Sequence, residues 1–522
     1  MISTFMGLET SKRGMSVAQN ALYTTGHNVA NANTPGYSRQ RVNLNPSLAF
    51  PSPGLNSPRV PGQLGTGVEA GSIQRIRDSF LDTQYREQNS KLGYYSSMSD
   101  SLAKMEEIMN DPTESGLLKT MNTFWNALED LTVHTDNTAA RAVVASTAEA
   151  VADTLNYYHS SLTNVQEDLR YQMGVKTDEI NTLISNINDL NVQISRIEPN
   201  GLIPNDLYDE RDVLVDKLSQ LVNVKVTSVM PTEYGIADRA VAEGLYNIEL
   251  IQEDGSLVNL INVTEADGIV DMKGVGVEED TTTGQLKVIV GEIDKTTGKV
   301  TTGTPLSNFS GEFAALLESV GTTYPDMLKK LNNMTEAFVK EFNRVHSQGY
   351  ALGATAPSNM DFFTIDPGKD AAASIEVNTK ILENPSLIAA ASQPGGAAGD
   401  NKNAHELAVI KSKSFQDYGD DDPNTAPPTD FLPTGLKDEK GSFDDYYAGI
   451  IGKLGVDSAS AQKNKGNTQI LVDSVDRNRQ SVSAVSLDEE MTDMIKFQQA
   501  YNASARMITV IDELLDKLIN GM

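Results

Sequence analysis

Chemistry in this chain would have to come from histidines, carboxylates, hydroxyls or a phosphate-cradling loop, because it contains no cysteine. That absence removes disulfides and Cys-based zinc or thiol chemistry. The five histidines, His27, His134, His159, His346 and His405, are scattered, and none opens a metal-ligand spacing. His405-Glu406 begins like the HExxH of a metalloprotease, but Val409 stands where the second zinc-binding histidine belongs. Ser460 and Lys463 have the SxxK spacing of some acyl enzymes, a pattern short enough to recur by chance. That segment reads as an exposed loop or a helix start. Asp420-Asp421-Asp422 lacks the alternation and the glycine of a calcium loop and reads as a solvated loop. Gly65-Thr66-Gly67 continues into neither GxxG nor GKS/T, so no phosphate site is expected. The expectation is a protein that is not an enzyme and takes no metal or cofactor.

Composition narrows the partners. With 522 residues, several domains are expected. Hydrophobic residues at 39% against 22% charged supply enough apolar surface for sizeable cores. Lys plus Arg number 42 against 71 Asp plus Glu, a net charge of −29. Such a field repels a phosphate backbone and an anionic membrane, so neither nucleic acid nor membrane is an expected partner. Met1 to Arg13 precede no apolar run of the kind a cleavable leader needs, and no window has the length of a membrane span. Taken alone, these tests point to the cytoplasm.

Periodicity predicts helix at both ends. Met1, Leu8, Met15, Leu22 and Val29 recur every seven residues, beside a small-residue stripe of Gly7, Gly14 and Ala21. Small neighbours let a second helix approach closely. Each glycine costs the helix up to about 1 kcal/mol relative to alanine, so this segment is not expected to hold its shape alone. At the other end, Ser486 and Glu489 have the spacing of a capping box. From there Met494, Tyr501, Ile508 and Leu515 keep the heptad, with Phe497, Ile511 and Leu518 in the companion row and Ser504 as its small member. The two terminal helices are candidates to pair with each other or with neighbouring subunits.

The interior changes character. A proline-free stretch from 137 to 197 carries a seam from Val144 to Ile194 and predicts one helix about 90 Å long. Shorter helices are expected through Leu81 to Met109, through Leu117 to Leu128, and from Asp206 to Val222. Alternation then marks strands at 224–226, 246–250 and 286–290, with turns at Thr283-Gly284 and Thr297-Gly298. Helix returns near Gly311 and resumes after Pro325, while 350–450 is mixed. The fold class read from this order is mainly α with an inserted β domain, an elongated multi-domain rod whose N- and C-terminal helices pair in a coiled-coil-like bundle. Its expected domains are a terminal helical assembly domain (1–60 with 480–522), a helical rod domain (61–222 with 309–479) and the β insert (223–308).

One local string is more specific. Asn31-Ala32-Asn33-Thr34-Pro35-Gly36-Tyr37 stops a helix and enters a tight turn. Pro35 pushes Thr34 out of the helical region, and Pro-Gly suits the centre of a type II turn with Gly36 at positive φ. A helix terminator alone explains Pro-Gly but not the asparagines. The string from Asn28 to Tyr37 resembles the N-terminal motif of the flagellar rod, hook and hook-associated family. Gly65-Thr66-Gly67-Val68 and Arg75-Ile76-Arg77-Asp78-Ser79-Phe80-Leu81 resemble its next block. Asn205-Asp206-Leu207-Tyr208-Asp209-Glu210-Arg211-Asp212 and the C-terminal Asp488-Glu489-Glu490-Met491, Phe497 to Tyr501 and Ala503 to Arg506 are similar to its hook-associated members. Ser483-Ala484-Val485 departs from the family's usual Ser-Gly-Val, and the resemblance does not extend to the β insert.

The resemblance implies an extracellular structural subunit, exported unfolded through the flagellar type III apparatus and built into a short tube between hook and filament. Its implied partners are further copies of itself in a ring or tube segment, the hook protein, the next junction protein toward the filament, and an export chaperone at the C-terminal helix. The implied packing seams are Leu8, Met15, Leu22 and Val29 with Met494, Phe497, Tyr501, Ile508, Ile511, Leu515 and Leu518. Rival readings are a hook or rod subunit sharing the N-terminal motif, and an enzyme displayed on the flagellum.

Overall fold

The computed structural model describes residues 4–50, 62–109, 116–266, 268, 270–279, 286–294, 297–306, 309–395, 399–419 and 431–521. Met1 of the heptad row, the Thr283-Gly284 turn and Asp420-Asp421-Asp422 lie outside the described residues.

In chain order, α1 (Thr4–Ala30) leads into the hairpin β1 (Gln40–Pro46) and β2 (Val68–Arg75). Helices α2 (Ser79–Ile108), α3 (Leu117–Val133), α4 (Thr138–Ile197) and α5 (Asn205–Leu221) follow. The strands are β3 (Val224–Val229), β4 (Leu245–Ile251), β5 (Leu257–Val263), β6 (Val270–Met272), β7 (Gly274–Glu279), β8 (Leu286–Gly291) and β9 (Thr304–Pro305). Then come α6 (Glu312–Glu318), a π turn at Ser319–Thr323 and α7 (Tyr324–Gln348). Short pieces follow: β10 (Phe363–Thr364), α8 (Ala371–Ser374), β11 (Glu376–Val377), α9 (Thr379–Glu383) and α10 (Lys402–Val409). The long helices α11 (Phe443–Ser483) and α12 (Leu487–Asn520) close the chain. The architecture is thus mainly α with small inserted sheets, and α1 packs against α12.

The chain divides into two compact units, Met1–Tyr94 with Lys176–Glu312 and Asn467–Met522, and Tyr95–Val175 with Phe313–Gly466. In the first, besides the β1-β2 hairpin, the strands form two antiparallel sheets, β3-β4-β5-β6 and β7-β8-β9. Their alternation is amphipathic. Leu245, Ile248, Leu250 and Ile261 are buried, and Leu245 joins Ile194 of α4, Tyr208 of α5, Tyr234 and Val263 in one cluster. Two asparagines of α4 bind the sheets as a strand would. Asn181 donates to the Val275 carbonyl at 2.8 Å and accepts from its N–H at 2.7 Å. Asn191 does the same to Tyr246, at 2.9 and 3.1 Å. Each satisfies a backbone pair that would otherwise be stranded beside the helix.

The second unit is built on aromatic packing. Phe124 and Trp125 of α3, Phe338 and Phe342 of α7, Phe362, Phe363 and Phe443 are all buried. Trp125 meets Phe338 edge-on at 5.8 Å, and Phe338 meets Phe443 at 5.6 Å. Fully burying each ring contributes on the order of 1.5–3 kcal/mol, which is how the mixed 350–450 stretch, made of short pieces, is held.

Three local expectations change. Pro325 does not interrupt a helix: it sits in the first turn of α7, where its missing N–H breaks no bond, and the π turn carries the chain on from α6. Ser460 and Lys463 lie inside α11, exposed, not in a loop or at a helix start. The Ser486 side chain makes no cap hydrogen bond, and the Glu489 carboxylate is turned to Arg39 at 2.5 Å. Ala484 replaces the family's glycine without strain, since among the described residues Asn359 is the only non-glycine with positive φ.

Candidate functional site

Among the described residues no group of three His, Asp or Glu side chains is placed to hold a metal ion, and no helix is long and apolar enough to cross a membrane. The functional residues singled out from the sequence instead meet in the first unit, around the turn after α1 and along the α1–α12 pair.

The turn is built as its residues require. The Tyr37 N–H donates to the Thr34 carbonyl at 3.2 Å, with Pro35 and Gly36 between them and Gly36 at φ 81°. A Cβ on Gly36 would sit 2.0 Å from Cγ2 of Val213 on α5, so both conformation and space demand glycine. Asn31 caps the preceding helix end: its Nδ2 donates to the His27 carbonyl at 3.1 Å and its Oδ1 accepts from Thr34 Oγ1 at 3.1 Å. Asn33, Thr34 and Pro35 are exposed, and Tyr37 is half-buried with its ring 5.5 Å from His27.

Asn28 ties this turn to the rest of the unit. It is 1% exposed, and every hydrogen-bonding position of its amide is used. Nδ2 donates to the Gln40 carbonyl at 2.9 Å and to Glu490 Oε2 at 3.0 Å. Oδ1 accepts from the Tyr37 hydroxyl at 2.8 Å and the Gln40 N–H at 3.0 Å. Arg39 completes the junction, bonding Glu490 at 2.6 Å through Nε and the Ser483 carbonyl at 2.8 Å through its backbone N–H. Burial, with Asp206, Asp209 and Glu490 nearby, pushes the Tyr37 phenol well up, so it remains a donor.

Behind the turn lies a buried ion network. Arg75 pairs with Asp209 at 2.7 Å, with Asp212 at 2.8 Å and with Glu243. Arg77 pairs with Asp82 at 2.7 Å and reaches Asp212 at 3.4 Å. Arg86 bridges Asp212 at 2.9 Å and Asp216 at 2.8 Å, and Arg479 of α11 meets Asp216 at 2.5 Å. Burial works against the Asp212 carboxylate, but Arg77, Arg75, Arg86 and Arg211 outweigh it and hold the group far below the usual range. At Asp209 burial prevails over Arg75 and raises the carboxyl. Removing one member of such a network strands a buried charge, at a cost of about 3–5 kcal/mol. The network joins β2, α2, α5 and α11; it orients elements and offers no open reactive group.

The seam residues fall into two sets. A Cβ built on Gly7 lies 3.3 Å from Ile511, and one on Gly14 lies 3.1 Å from Ser504 Oγ. With Asn28 opposite Glu490, the helices run antiparallel at a fixed heptad register, which sets Ala21 opposite Phe497. The small stripe therefore makes the closest approach. Leu8, Met15, Leu22 and Val29 lie one position away and are half-buried, as are Met494, Phe497, Tyr501, Ile508, Ile511 and Leu515, while Leu518 is 53% exposed. Along another row of α12, Met507, Val510 and Leu514 are exposed as well.

Sequence reasoning missed Arg39, Arg86, Asp216, Glu243 and Arg479 as partners. A signal existed on α5, where Asp209, Asp212 and Asp216 at i, i+3 and i+7 make one carboxylate face. The matching arginines lie on β2, just after it and on α2, and only the fold brings them there.

Three protein families match the chain: the flagellar hook-associated protein FlgK helical domain over residues 102–363, the flagella basal body rod protein over 8–37, and the flagellar basal body rod FlgEFG protein C-terminal region over 478–521. Flagellar hook-associated protein 1 of Bacillus subtilis (strain 168) is 41% identical, over 100% of this chain and 99% of that one. Its namesake in Escherichia coli (strain K12) is 25% identical, over 98% and 99%. The flagellar hook junction protein FlgK from Burkholderia pseudomallei shares the fold, with a TM-score of 0.59 at 13% identity, covering 77% of this chain and 100% of that one.

Proposed function

This chain belongs to the flagellar hook-associated protein 1 family and is a structural subunit of the hook–filament junction, and we propose that it performs no catalysis and works through its paired terminal helices. The observation that carries this reading is the pairing of α1 and α12 around glycine and alanine, with an apolar row of α12 left uncovered. Met507, Val510 and Leu514 recur at helical spacing on that row, and soluble surfaces seldom expose such a stripe without a use for it. Neighbouring copies in a ring or tube segment cover it, and the hook protein and the next junction protein continue the stack on either side. Burying each of these side chains adds about 1.5–3 kcal/mol per subunit contact.

Charge on the row tests this. In cells carrying Val510→Asp and Leu514→Asp, the chain is expected to be made but filaments to be lost, with flagellin released to the medium. Normal filaments on those cells would contradict the assembly role.

The same exposed row is available before assembly to an export chaperone, which holds the chain for unfolded passage to the cell exterior. A chain free of cysteine crosses a narrow channel without cross-linking. Deleting residues 480–522 should abolish both chaperone binding and the chain's appearance outside the cell. Unchanged chaperone affinity in the truncated chain would sink this part of the reading.

A further inference from the structure

The α1–α12 seam has a property that its small residues cannot explain by themselves: it occupies one register. Gly7, Gly14 and Ala21 face Ile511, Ser504 and Phe497. Glycine and alanine accept almost any opposite side chain, so steric fit discriminates weakly between registers. Sliding α12 by one heptad would set Gly7 opposite Leu518, Gly14 opposite Ile511 and Ala21 opposite Ser504. That arrangement would bring Leu518, now 53% exposed, opposite Gly7 and Ile511 opposite Gly14, in exchange for Phe497 at Ala21. Its polar cost falls at one end of the seam: Asn28 would face Phe497 in place of Glu490, and the Arg39 bonds to Glu489 and Glu490 would be displaced with them.

We propose that Asn28, Glu490 and Arg39 are the register-setting clasp of the terminal helix pair. Asn28 and Glu490 are 1% and 2% exposed, so neither has water as an alternative partner. In the observed register Glu490 accepts from Asn28 at 3.0 Å and from Arg39 at 2.6 Å. In the shifted register Asn28 keeps a donor against an aromatic ring, which is penalised, and Glu490 loses its Asn28 bond. One buried polar contact in an otherwise permissive seam is a known way to choose a single helix alignment. Because Asn28 also holds Tyr37 and Gln40, the clasp fixes the alignment of α12 to the turn and the hairpin, not only to α1. Its biological role rests on the assembly reading, since copies can stack uniformly only if every pair has the same register.

The absence of cysteine allows a direct test. Two double variants report register: Gly14→Cys with Ser504→Cys for the observed alignment, and Gly14→Cys with Ile511→Cys for the shifted one. Flagella isolated from cells are oxidised, and the within-chain disulfide is read as a mobility change without reductant. With the clasp intact, the 14/504 product is expected and the 14/511 product stays at background. Adding Glu490→Ala should raise the 14/511 product about tenfold or more, the ratio a charge-assisted hydrogen bond supports. The exchanged pair Arg39→Glu with Glu490→Arg would restore the single alignment at least in part. An unchanged 14/504-only pattern in Glu490→Ala overturns the clasp, as does a 14/511 product already present with the clasp intact. If the altered chain is absent from flagella, the same products read in the purified full-length chain decide the matter. Absence of the unaltered chain from flagella would instead defeat the assembly reading, leaving the clasp to that second measurement.

Discussion

Burial gives His346 a fixed protonation state. The ring lies in the second unit with Nδ1 2.8 Å from the Met360 carbonyl and Nε2 accepting from the Ala389 N–H at 3.1 Å. Phe362 packs edge-on at 5.4 Å, and none of these partners carries a charge. Desolvation lowers its pKa from 6.5 to about 4 against the weaker pull of the Met360 carbonyl. A folded-state value below the unfolded one means stability that is present above pH 6.5 and lost as pH falls toward 4. Between pH 7 and pH 5 the loss from this group is about 2 kcal/mol. Trp125 is the only tryptophan and sits in the same unit, so its fluorescence follows unfolding there. The urea midpoint should fall more between pH 7 and pH 5 in the native chain than in His346→Gln, and equal falls would contradict this. Individual residues were unevenly legible. Gly36 could be read from its sequence because a turn after Pro35 has one backbone solution. Asn28 could not be assigned its role, since its partner Glu490 lies 462 residues away.

Elements were legible where one face is apolar at a steady spacing. α4 shows its buried row from Val144 to Ile194 as expected, and α5 spans Asn205–Leu221, close to the predicted 206–222. α11 escaped notice because Gly449, Gly452, Gly455 and Gly466 dilute its pattern, and the space around each is open. Glycine in a helix interior costs up to about 1 kcal/mol, so tertiary contacts such as Arg479 with Asp216 must offset it. The capping-box expectation failed for a different reason. The Glu489 carboxylate, which would reach back to the Ser486 backbone in a capping box, instead meets the Arg39 guanidinium, a partner 450 residues away. In the terminal pair the heptads were visible, but which row would lie closest was not. Close approach selects the small stripe, which leaves the larger residues half-buried beside it.

At the scale of the molecule, segments that resemble the flagellar family one by one come together in space. The turn after α1, the arginines at 75 and 77, the aspartates of α5 and the start of α12 form a single junction in the first unit. That convergence ties the scattered motifs together physically: they hold the start of α12 against the turn after α1. The β strands between 224 and 305 dock on α4 through Asn181 and Asn191, and β4 reaches that junction through the Tyr246 hydroxyl, which donates to Asp212 at 3.0 Å. This chain serves the junction between hook and filament. Electron microscopy of cells lacking the chain, with flagellin assayed in the medium, tests that role. Complete hooks bearing no filaments, with flagellin lost to the medium, are the predicted result, and normal filaments on those cells would contradict it.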